Sequence, residues 1–429
     1  MIAKDGAESF SETTGPPPKI DAARAKRRER DLLASLAIDP NTGKPRRLGG
    51  NVSILLRHHP AWEGTLAFDE LAGSPVWLRQ PPEVPGLAPV GLGPFTETNF
   101  LRVQQWLATT YGVAFAREIV EVGMIDAAET RKFHAIRDYL DGLTWDGTPR
   151  LDTLLVDHAG AENTPYVRAV TSKTFIAAVA RVRRPGCKVD TMLILEGAQG
   201  LGKSSLLAHL AGHDWFDDHL PDLRDKDAPL HLRGRWLVEV PELDAMKGAE
   251  ATRIKSFVSR QVDRYRPPYA RQEVESPRGC IFVGTTNASN YLADGTGGRR
   301  FWPVAVCKPI RASGIDRDQV WAEAATRFAA GEVWHLGETL EEEARGHQAA
   351  RYTADPWEEA LARELGHQGS TTMSECLSLL QVEARHLKQP DARRIADVLR
   401  RLGYVRRREA TPSEKGRREW VYFRGGETR

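Results

Sequence analysis

The stretch LILEGAQGLGKSSLLAHL, Leu193 to Leu210, constrains this chain more than any other, because it reads as a strand, a glycine-rich turn and a helix start in succession. The apolar run Met192 to Leu195 gives way to Gly197, Ala198, Gln199, Gly200, Leu201, Gly202, Lys203, Ser204 and Ser205, which fills the pattern G-x-x-x-x-G-K-[ST]. The glycines let the backbone turn back with its N–H groups pointing inward, and the helix beginning near Lys203 adds its positive N-terminal end. A turn of that kind cradles phosphates. Lys203 is then expected to pair with phosphate oxygens and the Ser204 hydroxyl to ligate Mg²⁺, so ATP and Mg²⁺ are the expected ligands. A ligand-free turn between strand and helix is the plain alternative; the agreement of pattern, strand and helix weighs against it.

Two later strands carry the groups that hydrolysis requires. RWLVEVPELD, Arg235 to Asp244, is an apolar run with acids toward its end. One carboxylate is needed on Mg²⁺ and another to polarise the attacking water; Glu239 and Glu242 are the candidates, with Asp244 third. RGCIFVGTTNASNYL, from Arg278, ends its apolar part in Thr285, Thr286 and Asn287, and an amide at the tip of such a strand can hydrogen-bond the water or the γ-phosphate. DGTGGRRFWPVAV, Asp294 to Val306, then presents Arg299 and Arg300 on a glycine-rich turn before another buried strand. Paired arginines there suit a finger that offsets transition-state charge, and a finger of this kind usually reaches a neighbouring subunit, which implies a ring.

Between those strands, Ile254 to Arg278 begins as a helix with Ile254, Phe257 and Val258 inward and continues as a segment mixing Arg260, Arg264, Arg266 and Arg271 with Tyr265 and Tyr269. Arginines neutralise phosphate and tyrosines stack on bases, so the segment suits a nucleic-acid strand; a charged hairpin that meets only protein is the alternative.

Taken together, the phosphate loop, the strand ending in E-x-x-E, D-R-Y-R-P-P-Y, T-T-N and D-G-T-G-G-R-R-F-W-P-V resemble the virulence-associated E family, which is similar to the superfamily 3 helicases of phages and mobile elements. The resemblance covers about residues 50 to 306, and Trp236 to Val306 is its most specific part. It implies an AAA+-like ATPase that forms a ring, a hexamer, and moves on single-stranded or forked DNA during replication of a phage, prophage or genomic island. On that pattern Lys203 and Ser204 bind Mg-ATP, Glu242 is the principal acid and a metal ligand, Asn287 is the sensor, and Arg299 or Arg300 is the finger. Glu239 departs from the pattern, since many relatives place the two acids side by side. Lys255 to Arg271 corresponds to a pore-facing element. Larger relatives carry a primase domain, but the first 180 residues hold no D-x-D site and no zinc ribbon, so a separate primase or initiation protein is the expected partner.

The 429 residues can bury more than one core, and 60 Lys and Arg against 58 Asp and Glu leave any nucleic-acid surface to local clustering. Cys187, Cys280, Cys307 and Cys376 lie far apart without metal-ligand spacing, as expected of reduced thiols in a cytoplasmic protein. No apolar segment approaches a membrane span, and the N-terminus lacks the apolar core of a secretory signal. Residues 1–48 are polar, with GPPP at Gly15 to Pro18 and a basic run from Ala23 to Leu36; they read as a flexible tail or a nucleic-acid-binding arm.

Residues 49–180 read as a mostly helical region with no catalytic constellation, in which Leu101, Val103, Trp106 and Leu107 share an inward stripe and His58, His59 and His134 are structural. Residues 181–310 form the ATPase core and 311–354 a helical connector. In 355–429, helices followed by YVRRRE and REWVYF resemble a winged helix, which either contacts DNA through Arg406 to Arg408, Lys415, Arg417 and Arg418 or docks protein. The expected fold is therefore α/β: a helical N-terminal region, an AAA+-like P-loop ATPase core and a C-terminal winged-helix-like domain. The expected function is ATP-driven DNA unwinding or translocation. A P-loop ATPase that remodels protein or nucleoprotein shares every hydrolytic motif and is the main rival; a small-molecule kinase is a weaker one, against which T-T-N and the paired arginines argue.

Overall fold

The structure is a computed structural model that describes residues 19–243, 248–266, 272–289, 291–292, 298–351, 356–366, 368–382, 389–410 and 418–425. The chain divides into two compact units, Met1–Asp138 and Tyr139–Arg429.

In the first unit, helices α1 (Lys19–Ala34) and α2 (Gly49–His58) precede strands β1 (Leu66–Asp69), β2 (Ser74–Trp77) and β3 (Gly93–Pro94), followed by α3 (Glu97–Tyr111), α4 (Arg117–Glu129) and β4 (Lys132–Phe133). The strands make a sheet in the order β3-β2-β1-β4. Its core gathers Trp62, Trp77 and Trp106 with Leu55, Leu56 and Met124. The expected flexible tail is tied into that core from Leu32 onward: Leu32 and Leu36 are buried, and the Asn51 amide bonds both the N–H and the carbonyl of Ala37. Helix α3 ends at Gly112 in the left-handed region as its pattern predicts, but Leu101 is turned outward while Val103, Trp106 and Leu107 face in. His59 packs edge-on against Trp106 and accepts from Ala61 N, and His134 is buried; burial lowers the pKa of both, as for structural histidines.

Helix α5 (Ala135–Asp141) runs across the boundary, and the second unit continues with α6 (Leu154–Ala159), α7 (Pro165–Arg183), β5 (Met192–Glu196), α8 (Lys203–Ala211), β6 (Phe216–Asp217), α9 (Ala228–His231), β7 (Leu237–Val240) and α10 (Gly248–Val258). Then come β8 (Val262–Tyr265), β9 (Val274–Pro277), β10 (Ile281–Thr286), β11 (Phe301–Ala305), α11 (Arg317–Ala329) and α12 (Glu338–Ala349). Five strands form a wholly parallel sheet in the order β11-β5-β10-β7-β6. Strands β5, β7 and β10 are buried along their whole length, which is why they read as mainly apolar runs rather than alternating ones, with Glu196, Glu239, Thr285 and Thr286 as the polar exceptions.

The boundary expected at residue 180 cuts through this unit. Helix α7 is buried along most of its length and packs on β5, β10 and α11, so it belongs with the sheet. The expected connector belongs there too. Trp321 of α11 stacks on Trp236 at 3.9 Å, and their indole N–H groups donate to Leu210 O and Ala178 O.

The remaining elements are α13 (Pro356–Leu365), β12 (Ser370–Thr372), α14 (Met373–Leu379), α15 (Gln389–Arg401), β13 (Tyr404–Ala410) and β14 (Arg418–Arg424). They share a core of their own that includes Leu361, Cys376, Ile395, Val398, Leu399 and Tyr422, and their strands pair in the order β12-β14-β13. Among the described residues, no helix is long and apolar enough to cross a membrane.

Candidate functional site

The glycine-rich turn leaves the C-terminal end of β5 and enters α8 at Lys203, and the chain following β11 braces it from outside. Val306 N donates to Glu196 O at 2.6 Å, and Ile310 N to Leu201 O at 2.9 Å. Gly197, at φ 153°, has the Val306 carbonyl 2.6 Å from where a Cβ would stand, and Gly202, at φ 82°, has that of Ile310 at 3.0 Å. A side chain at Gly197 would collide with backbone and one at Gly202 would crowd it, so glycine serves space as well as conformation.

At the mouth of this loop three neighbouring strands deliver their side chains together. The Lys203 ammonium donates to Gly197 O at 2.5 Å, Ala198 O at 3.0 Å and Asn287 Oδ1 at 3.1 Å, which joins the loop to the tip of β10. Burial lowers its pKa, and the nearby Glu239 carboxylate works the other way. The Ser204 hydroxyl donates to Glu239 Oε1 at 2.7 Å, and Thr285 Oγ1 donates to the same oxygen at 2.6 Å. Glu239 is 2% exposed, and its second oxygen is buried without a hydrogen-bond partner among the described residues.

A buried, half-satisfied carboxylate beside a hydroxyl suits a hard cation, for oxygen donors are what Mg²⁺ takes and an unpartnered buried charge is costly. Among the described residues no group of three or more His, Cys, Asp and Glu gathers around a possible metal. A cation held by Ser204 and Glu239 would therefore complete its shell with phosphate and water, as Mg²⁺ commonly does.

The acid that meets Ser204 is thus Glu239, in place of Glu242. Glu242 lies beyond the strand's end, past Pro241; it is exposed and has φ 50°, a left-handed conformation uncommon for a residue other than glycine. Asp244 lies outside the described residues.

Arg299 and Arg300 stand at the other end of the sheet. Phe301, the next residue, is in register with Met192 at the start of β5, and Ala305 with Glu196 at its end. A strand length of roughly 13 Å, at about 3.3 Å per residue, therefore separates the arginines from their own loop. Arg299 is exposed, and Arg300 Nε donates to Ser259 Oγ at 2.8 Å.

The basic segment is only partly as expected. Lys255 faces inward on α10, 7% exposed, with its ammonium 5.8 Å from the centre of the Phe301 ring. Tyr265 is likewise 7% exposed, because β8 alternates and Asp263 and Tyr265 take its inner side; Arg233 covers the Tyr265 ring. Neither side chain is placed to meet a nucleic acid. Arg264 is exposed and paired with Glu275 at 2.6 Å, and Arg266 is exposed. Tyr269 and Arg271 lie outside the described residues.

Residues 140–353 match the family model of the virulence-associated protein E-like domain. The chain carries a virulence-associated protein E-like domain. Where the sequence motifs suggested a span of about residues 50 to 306, the domain begins at the second compact unit and runs through α12.

Within the virulence-associated protein E-like domain lies a cluster that motif reading missed. Glu196, the residue before Gly197, is held by Arg351 through Nε and Nη2 at 2.6 and 2.8 Å and accepts from Tyr291 Oη at 2.6 Å. The backbone N–H groups of Tyr291 and Leu292 in turn donate to Arg351 O. Arg351, two residues past the end of α12, thereby ties the root of the loop to the chain following Asn287. The partners come from three distant stretches, so no local pattern announces them. Thr285 was noted as part of T-T-N, but its bond to Glu239 depends on the β7–β10 pairing.

The chain is also similar to two solved apo structures of the NrS-1 C-terminal region in its A form, at 12% and 13% identity with TM-scores of 0.44 and 0.41. Each comparison covers 84% of this chain and 96% of the other. No curated protein matches the chain.

Proposed function

We propose that the chain is an ATP-dependent DNA helicase or translocase acting in replication of a phage, prophage or genomic island, built as an AAA+-like P-loop ATPase with a winged-helix-like module at its C-terminal end. The observation that carries this reading is the convergence of Lys203, Ser204, Glu239 and Asn287 at the C-terminal ends of β5, β7 and β10. That is where open parallel sheets take their ligands, and the virulence-associated protein E-like domain model spans all four residues. In this reading Lys203 exchanges the Gly197 and Ala198 carbonyls for phosphate oxygens, and Gly197 to Ser205 cradle the phosphates of ATP. Ser204 and Glu239 would hold Mg²⁺, which supplies positive charge against the phosphates when bound. Asn287, freed from Lys203, orients the attacking water, and Glu242, beyond the strand end, polarises it.

Because Arg299 and Arg300 lie a strand length from their own loop, a finger made from either acts on a neighbour's nucleotide. On this reading the chain acts as a homo-oligomeric ring, a hexamer on the family resemblance, with single-stranded or forked DNA as the translocated partner, a separate primase or initiation protein beside it, and the cytoplasm as its place. The test is ATP turnover with and without single-stranded DNA, together with strand separation. Turnover stimulated by DNA with duplex unwinding is expected; turnover indifferent to DNA would move the assignment to an ATPase that remodels protein or nucleoprotein.

A further inference from the structure

We propose that the β13–β14 hairpin is a second nucleic-acid contact, which holds an unpaired strand through Arg406, Arg408 and Trp420. In the antiparallel register Arg406 stands opposite Tyr422 and Arg408 opposite Trp420, so these four side chains share one face. Near the helices that face is core, with Tyr404 and Tyr422 each 3% exposed. One pair further along it opens to solvent, and Trp420 is 42% exposed. The Arg406 guanidinium lies 3.8 Å from the Trp420 ring centre and that of Arg408 5.5 Å.

Two features separate this surface from an ordinary charged edge. Arginines on an edge strand, which β13 is, guard against edge-to-edge association by themselves, and they need no exposed indole to do so. Secondly, the charge is uncompensated among the described residues. Arg400 and Arg401 on α15 are paired with Asp397 and Glu358, whereas Arg406, Arg407 and Arg408 make no ion pair among the described residues. Cation–π contact fixes a guanidinium without consuming its N–H donors, so Arg406 and Arg408 are held in place with donors available for phosphate oxygens. Phosphate contacts give affinity without sequence preference, and an exposed indole adds a stacking surface for a base. A duplex hides its base faces, so the surface fits an unpaired strand.

The inference needs no nucleotide and can be tested apart from ATP turnover. The full chain, without ATP, is titrated into a fluorescently labelled oligothymidylate at several salt concentrations, with anisotropy as the readout. Arg406→Ala/Arg408→Ala is expected to weaken binding about tenfold at low salt and to flatten the slope of log K against log salt by about 1.4, at roughly 0.7 for each phosphate that is no longer neutralised. Trp420→Ala is expected to weaken binding about tenfold with the slope unchanged, and Trp420→Phe to restore most of it. Thermal unfolding checks that each variant is folded. Unchanged affinity in the folded variants overturns the proposal. So does polyglutamate binding as tight as that of the oligonucleotide and abolished in the same variants, for the hairpin would then take an acidic protein surface. Oligonucleotide binding abolished in these variants, in a chain that hydrolyses no ATP, supports this contact while overturning the motor.

Discussion

Glu239 shows how much a single carboxylate's surroundings decide. It stands inside a fully buried strand, and two hydroxyls are aimed at one of its oxygens while the other has no partner among the described residues. Under the proposed mechanism Glu239→Gln keeps the volume and loses the charge, and ATP turnover is expected to fall about 10²-fold or more with weakened dependence on Mg²⁺, measured by phosphate release across a Mg²⁺ titration. Glu242→Gln is the informative companion. Equal losses in both would support a division of labour between metal and water, and no loss in Glu242→Gln would leave Glu239 as the acid that matters. Lys203→Ala is expected to reduce turnover by about 10³-fold and to abolish nucleotide binding measured by calorimetry. Lys203, Ser204 and Asn287 were legible in sequence because each belongs to a local pattern. The choice between Glu239 and Glu242 was not, since both fit a strand bearing acids near its end and only the position of Ser204 separates them.

Among the elements, the β8–β9 hairpin owes its attachment to a buried ion pair that periodicity does not reveal. Arg278, 2% exposed, donates to both oxygens of Asp263, 4% exposed, and to the Phe257 carbonyl, while its guanidinium lies over the Phe257 and Phe282 rings. Removing one partner leaves a buried charge, so Asp263→Ala is expected to cost about 3–5 kcal/mol and to lower Tm by several degrees in a thermal melt. A milder case joins α11 to its surroundings. Glu332 is pulled down to about 2, first by its hydrogen bond with Arg327 and then by Lys173. A carboxylate held low contributes stability above its ordinary range and loses it as pH falls from about 4.5 toward 2. Arg327→Leu should therefore lower Tm at pH 7 and make progressively less difference as the solution is acidified, a comparison made by melts across that window. Helices α3, α11 and α15 were readable from their apolar spacing, and the β13–β14 hairpin from two strand-like runs around a polar turn. The inward turn of Lys255 and Tyr265 was not, because a basic and aromatic composition looks the same whether the helix or strand period points a residue in or out.

For the whole molecule, the placement of Arg299 and Arg300 makes a prediction that one chain alone cannot meet. If a finger acts between copies, Arg299→Ala or Arg300→Ala should reduce turnover about 10³-fold, and mixing the affected variant with Lys203→Ala should restore part of it, because some interfaces then pair an intact loop with an intact finger. Turnover in the mixture no greater than the sum of its parts would rule out such sharing. The sequence alone determined the glycine-rich loop between strand and helix, the three strands that carry candidate site residues, the family resemblance and the hairpin at the C-terminal end, because each is a run of neighbours whose spacing is fixed by strand or helix geometry. Tertiary structure decided which acid meets Ser204, that α7, α11 and α12 belong with the sheet, that Arg351 reaches Glu196, and that the paired arginines stand at the far end of the strands. Those outcomes depend on strand order and register, which arise from packing between segments far apart in the chain and leave no periodic trace in any one of them.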